Sequence, residues 1–369
     1  MAIQHPTYPS PSRRNFLRRL GGLAFFLLPS AKAYSWLDSS RSYRFQSESS
    51  GVAAKSAIPL SSNSAFEPRY LELHRSGELK RRGQILWEMM NICDLCPREC
   101  ENNRLDGQKG DCGSTSQLVI SSFHPHFGEE RPLVGEGGSG TIFMTHCSLR
   151  CVYCINWEIS MGGRGKERSI DDLAAMMIRL QEIGCKNINV VTPTHYSPHI
   201  LLALDKAAGK GLRLPLVYNT SGYEKVEVLK LLDGIVDIYM PDFKYFRSSM
   251  AAKYSSGARE YPKMAKAALL EMHRQVGVAK PANDGLMYKG LMIRHLVLPN
   301  DVSGTKEVIA WVADNLPKDT YFHLMAQYQP NYEADEYPQI NRRITNQEYR
   351  QAIQHANRMG LTNLNVQGA

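Results

Sequence analysis

A chain of 369 residues with 43% hydrophobic and 22% charged residues is long enough for one large domain and a smaller module, and too apolar to be disordered. Its formal charge of +8 is unevenly carried. Arg13, Arg14, Arg18, Arg19 and Lys32 lie in the first 33 residues, which hold no Asp or Glu, and without these five the balance is +3. That excess is too small to argue for nucleic acid or an anionic membrane surface as a partner.

Residues 1–33 read as an export signal of the twin-arginine type. Ser12-Arg13-Arg14-Asn15-Phe16-Leu17 supplies the paired arginines, Leu20 to Leu28 a short apolar run, and Ala31-Lys32-Ala33 a small-x-small cleavage site. The run is about nine residues against the roughly 20 of a spanning helix, so no stable membrane span is expected. The signal points to the periplasm, with the cytoplasm as the alternative. Residues 34–84 comprise a serine-rich linker and the start of a helix. The helical pattern runs from Glu67 to Met90, with Gly77 and Gly83 as interruptions.

A cysteine-rich module occupies 85–115. Cys93, Cys96, Cys100 and Cys112 are spaced C-x2-C-x3-C-x11-C among Gly, Asp and Asn, residues whose turns let several sulfurs converge. That pattern suits a second metal site, zinc or an iron–sulfur cluster, with two disulfides of an exported module as the alternative.

Residues 116–340 alternate strand and helix patterns. Strands are expected at Thr141–Thr145, Ile188–Val191, Leu216–Asn219, Ile235–Met240, Leu291–Leu298 and Tyr321–Met325. Helices are expected at Ser169–Gly184, Pro198–Ala208, Val226–Leu232, Tyr261–Val276 and Lys306–Asn315. Six strands separated by helices imply parallel β/α units and an α/β fold. A C-terminal helix and tail fill 341–369. Cys185 stands alone and reads as a core thiol.

The chemistry starts in the run His146-Cys-Ser-Leu-Arg-Cys-Val-Tyr-Cys-Ile-Asn156, directly after the first strand. Cys147, Cys151 and Cys154 at C-x3-C-x2-C can ligate three irons of a [4Fe-4S] cluster and leave the fourth open. An electron-transfer cluster has four cysteine ligands, whereas a catalytic metal keeps a position for substrate. Parallel β/α architecture gathers functional groups at the C-terminal strand ends. Here those ends carry Thr192 and His195, Asn219 and Ser221, Asp242 and Lys244, and then Gln327 and Tyr328, with Arg294 and His295 inside the fifth strand. An open iron can chelate the amino and carboxylate groups of S-adenosylmethionine. Lys244 or Arg294 would pair with the carboxylate, and Asp242 would hold a ribose hydroxyl or orient Lys244.

These residues resemble the radical SAM superfamily, on a branch similar to pyruvate formate-lyase activating enzymes. The motifs are Cys-Asp-Leu-Cys-Pro-Arg-Glu-Cys (93–100), His126-Phe-Gly-Glu-Glu130, the cluster run to Asn156, Val-Thr-Pro-Thr-His-Tyr (191–196), Tyr-Asn-Thr-Ser-Gly-Tyr (218–223), Asp-Ile-Tyr-Met-Pro-Asp-Phe-Lys (237–244) and Ile-Arg-His-Leu-Val-Leu-Pro (293–299). The resemblance implies a partial (β/α)6 barrel, a [4Fe-4S] cluster on Cys147, Cys151 and Cys154, and S-adenosylmethionine as co-substrate. It places Tyr153 where the superfamily has an aromatic beside the last cluster cysteine. Partners would be a flavodoxin- or ferredoxin-like one-electron donor and a protein or peptide substrate, with a small molecule as the alternative target. The chain departs from the branch where activating enzymes carry Gly-Gly-Glu after the second strand. Val-Thr-Pro-Thr-His stands there, so Thr192, Thr194 or His195 would take over the contact to the amino group. Two other readings stay open: a non-catalytic iron–sulfur carrier or redox sensor, and a zinc-binding interaction protein.

Overall fold

The computed structural model describes residues 66–367; the export signal and the serine-rich stretch to residue 65 lie outside the described residues. The helical pattern before the cysteine module splits at Gly77, which takes a left-handed φ of 76°. Two helices result, α1 (Tyr70–Arg75) and α2 (Glu78–Glu88). Gly83 stays inside α2 because a Cβ there would come within 2.9 Å of Leu202 Cδ2 on the helix packed against it.

The chain then runs through the cysteine module, without helix or strand from 89 to 117, into β1 (Leu118–His126), α3 (Arg131–Val134), β2 (Ser139–Met144), α4 (Trp157–Ser160) and β3 (Lys166–Arg168). From there it alternates: α5 (Ile170–Glu182), β4 (Ile188–Val191), α6 (Ser197–Gly209), β5 (Leu216–Thr220), α7 (Val226–Leu231) and β6 (Ile238–Pro241). The remaining elements are α8 (Ser248–Tyr254), α9 (Tyr261–Val276), β7 (Gly290–Leu296), α10 (Thr305–Asn315), β8 (Tyr321–Met325), α11 (Asn346–Arg358) and β9 (Leu364–Val366). The described residues form one compact unit, so the cysteine module and the sheet share one body. No helix among the described residues is long and apolar enough to cross a membrane.

The nine strands form one sheet in the order β3-β1-β2-β4-β5-β6-β7-β8-β9, and it does not close into a barrel. β1 is antiparallel to both β2 and β3. From β2 to β9 every pairing is parallel, as the alternation of strands and helices requires. A buried row of register partners, Ile142, Val190, Tyr218, Tyr239 and Leu291, crosses the middle strands. One residue further on, Phe143, Val191 and Asn219 are partners. Because side chains alternate along a strand, this second row faces the opposite side of the sheet. The helices are set by local signals. In α5, Ser169 Oγ accepts from the Asp172 N–H at 3.0 Å while Asp172 accepts from the Ser169 N–H at 2.9 Å, a reciprocal cap on the first turn.

Candidate active site

After Met144 the chain leaves the sheet and turns sharply. His146 and Arg150 adopt left-handed φ values of 66° and 53°, each costing roughly 1–3 kcal/mol for a residue with a Cβ. The loop is tied down at several points. Val152 N donates to Tyr254 O at 3.0 Å and Glu333 N donates to Val152 O at 3.0 Å. Ser255 Oγ donates to Cys151 Sγ at 3.1 Å, and Ser160 Oγ lies 3.1 Å from Cys154 Sγ.

This loop brings Cys147, Cys151 and Cys154 to the wall of a cavity of about 360 Å³. The second row of the sheet, Phe143, Val191 and Asn219, forms its floor. Tyr153, Thr192, Ser221, Asp242, Lys244 and Arg294 line it as well. The strand-end residues thus meet the three thiols in one place.

A network of two cations and two carboxylates crosses the cavity. Asp242 accepts from Lys244 Nζ at 2.6 Å and from Arg294 Nε at 2.9 Å. Arg294 also donates to Glu129 Oε1 at 3.2 Å and to Asn219 Oδ1 at 2.7 Å. The other Glu129 oxygen accepts from Asn189 at 2.7 Å and from Asn219 at 3.2 Å. Burial opposes ionisation of Asp242, but the charges of Arg294 and Lys244 outweigh it and hold its carboxyl below the usual range. Burial likewise opposes the Lys244 charge, and Asp242 more than restores it.

The thiols fit an iron–sulfur cluster on their own chemistry. All three are free of disulfides. Burial pushes each of them up, and a neighbouring thiol adds to the effect. Lys244 acts in the opposite sense on all three, so it lies close enough to favour thiolates. Buried thiols shifted upward become thiolates when a metal takes the place of their protons. Among the described residues, no three His, Cys, Asp or Glu side chains converge as they would on a single ion.

Three expected site residues lie elsewhere. His295 neighbours Arg294 on β7, and strand alternation sends its ring to the helix side. There Nδ1 lies 2.6 Å from Phe243 O and Nε2 lies 2.9 Å from Thr305 Oγ1 on α10, and burial lowers its pKa to about 4. His195 sits in a buried turn after β4, with Nε2 2.8 Å from Thr145 O. It supports the start of the cysteine loop from behind. Of the residues expected to replace Gly-Gly-Glu, only Thr192 reaches the cavity, with a left-handed φ of 59° that is rare for a β-branched residue. Thr194 instead donates to buried Glu224 at 2.6 Å. Glu129 is a cavity residue to which the sequence gave no role. It lies in the His126–Glu130 motif, which was the available signal. Cys93, Cys96, Cys100 and Cys112 do not line the cavity. Cys185 is buried, as a core thiol should be.

A largely parallel α/β sheet thus brings three thiols and a charged network together at its C-terminal strand ends. Residues 141–368 match the Radical SAM superfamily, and the chain belongs to it. It is also 30% identical over 305 residues to an uncharacterised protein of Methanocaldococcus jannaschii, a match covering 80% of this chain and 83% of that one. Membership implies a four-iron, four-sulfur cluster, S-adenosylmethionine and radical chemistry begun by its cleavage.

Proposed function

We propose that the cavity binds S-adenosylmethionine against a cluster on Cys147, Cys151 and Cys154, and that the radical formed there acts on a protein or peptide, as in enzymes similar to pyruvate formate-lyase activating enzymes. In this reading the parallel strands from β2 to β8 act as a partial (β/α)6 barrel wall. The observation that carries it is the union in one cavity of three thiols with Asp242, Lys244 and Arg294.

The cluster, when bound, supplies one electron to the sulfonium of S-adenosylmethionine. The products are methionine and a 5′-deoxyadenosyl radical, which takes a hydrogen atom from the substrate to give 5′-deoxyadenosine and a substrate radical. The protein binds and orients. Lys244 and Arg294 supply positive charge for a carboxylate. Glu129 and Asp242 supply acceptors for an ammonium or for ribose hydroxyls. Thr192, Asn219 and Ser221 add polar contacts at the floor, and Tyr153 packs beside the last cysteine.

A macromolecular substrate is supported by the mouth of the cavity. Ile155 and Phe127 are 65% and 64% exposed, and both adjoin cavity residues. Trp157 and Tyr332, which follow the cavity residues Asn156 and Asn331, stack with ring centroids 5.4 Å apart. Exposed apolar side chains grouped at an opening suit a partner that covers it and excludes water. A flavodoxin- or ferredoxin-like protein would deliver the electron, and the paired arginines would direct the folded holoprotein to the periplasm. The reading is tested with iron-reconstituted protein, dithionite and S-adenosylmethionine. The expected product is 5′-deoxyadenosine, and its absence from fully loaded protein overturns the proposal.

A further inference from the structure

Arg104 is fully buried, yet its hydrogen bonds among the described residues reach no carboxylate. Nε and Nη2 donate to Thr115 O at 3.2 and 2.8 Å, and Nη1 points at Cys93 Sγ at 3.8 Å. A buried guanidinium without an anion costs several kcal/mol or more. Four thiols carry no charge to offset it, and neither do two disulfides. Four thiolates around a metal centre do.

The local geometry brings two of these sulfurs together. A Cβ on Gly110 would lie 3.4 Å from both Cys100 Sγ and Cys112 Sγ and 3.6 Å from the Arg104 Cδ. The two sulfurs and the arginine stem therefore close around one glycine. Glu99 and Glu101 take left-handed φ values of 44° and 56°, which turn the chain sharply on either side of Cys100. All four cysteines are free, and Cys112 Sγ lies 3.1 Å from Ser114 Oγ.

The module also grips the loop of the active site. Arg98, between Cys96 and Cys100, donates from Nε to Ser148 O at 2.8 Å and from Nη2 to Leu149 O at 3.4 Å. Both carbonyls lie between Cys147 and Cys151. The same guanidinium reaches Ser255 O at 3.1 Å and Ser256 O at 2.7 Å. In return Arg150, beside Cys151, donates to Asp111 O at 3.2 Å, beside Cys112.

We infer that Cys93, Cys96, Cys100 and Cys112 hold a thiophilic metal centre through four thiolates, closed to substrate, and that this centre braces the loop carrying Cys147, Cys151 and Cys154 through Arg98 and Arg150. The bracing rests on the proposed iron site; the metal centre itself does not. No three of these sulfurs converge as they would on a single ion, so the ligand set fits a second iron–sulfur cluster and not zinc.

Zinc and iron are measured in the full chain purified without oxygen. About eight irons, twice the content of one four-iron cluster, supports the inference. Iron at or below four overturns it, with or without zinc. The variant Cys96→Ser/Cys112→Ser should lose the extra metal and keep the iron on the other three cysteines. Should that variant fail to fold, Arg98→Ala decides the bracing with every cysteine in place. It should retain the extra metal and release active-site iron to a chelator about tenfold faster or more. Release at the parent rate overturns the bracing. None of these readouts uses S-adenosylmethionine, so a chain that makes no 5′-deoxyadenosine leaves them decisive.

Discussion

The loop Cys147–Cys154 and the module Cys93–Cys112 are both dense in cysteine and lie outside the strands, yet they are built on opposite terms. The first stands at the end of a parallel strand and fronts a cavity lined by Lys244, Asp242 and Arg294. Its three sulfurs face space that a ligand can fill. The second turns inward on a buried arginine, and none of its sulfurs lines that cavity. Cysteine count alone does not distinguish the two sets; what their sulfurs face does.

Substitutions can break this comparison. The largest effect is expected from Cys147→Ser, which should abolish iron-dependent formation of 5′-deoxyadenosine, read by chromatography, while the urea midpoint moves little. A collapse of the fold would show that the loop, too, is a fastening. Next is Asp242→Asn, which leaves Arg294 and Lys244 short of a countercharge in a buried network. A stability loss of about 3 kcal/mol is expected in urea titration.

Glu224 tests the ground beneath the module. Its buried carboxyl ties Thr194 to Thr220, and burial pushes its pKa up to about 7. The folded protein therefore holds a proton that the unfolded chain releases near 4.5. This contribution is present at low pH and is lost as pH rises through about 7. Relative to Glu224→Gln, the parent chain should lose up to about 2 kcal/mol between pH 5 and pH 8, followed by thermal melts across that range. A smaller effect, about 1–2 kcal/mol, is expected for Gly113→Ala, because Gly113 has a φ of 93° and a Cβ would meet the His146 ring at 3.0 Å. The smallest is Thr345→Ala, remote from both cysteine sets. Thr345 Oγ1 caps α11 by accepting from Glu348 N at 3.1 Å, and its loss should cost about 1 kcal/mol with no change in metal content.

Much of the scaffold was legible in the sequence. Ile188–Val191, Tyr321–Met325 and the helix Tyr261–Val276 fall where periodicity puts them, and Ser169 caps α5. The strand expected from Ile235 begins at Ile238, because Ile235 and Val236 complete the turn after α7. β1, β3 and β9 escaped notice for different reasons. β1 carries exposed Phe123 and an internal proline, while β3 and β9 have three residues each. At the site, charge and position at strand ends identified Asp242, Lys244 and Arg294. They did not distinguish Arg294 from His295, since the face each presents depends on register. Glu129 was harder still: its partners Asn189, Asn219 and Arg294 are 60, 90 and 165 residues away.

The His146 ring lies between two glycines from distant parts of the chain. A Cβ on Gly113 or on Gly163 would come within 3.0 Å of it. Three segments therefore share one slot of fixed thickness, and a side chain on either glycine would press on the ring of the residue that precedes Cys147. Positions 113, 146 and 163 should accordingly behave as a single inherited character among relatives: where the ring is replaced by a smaller side chain, the glycines become free to vary, and where it persists, both remain.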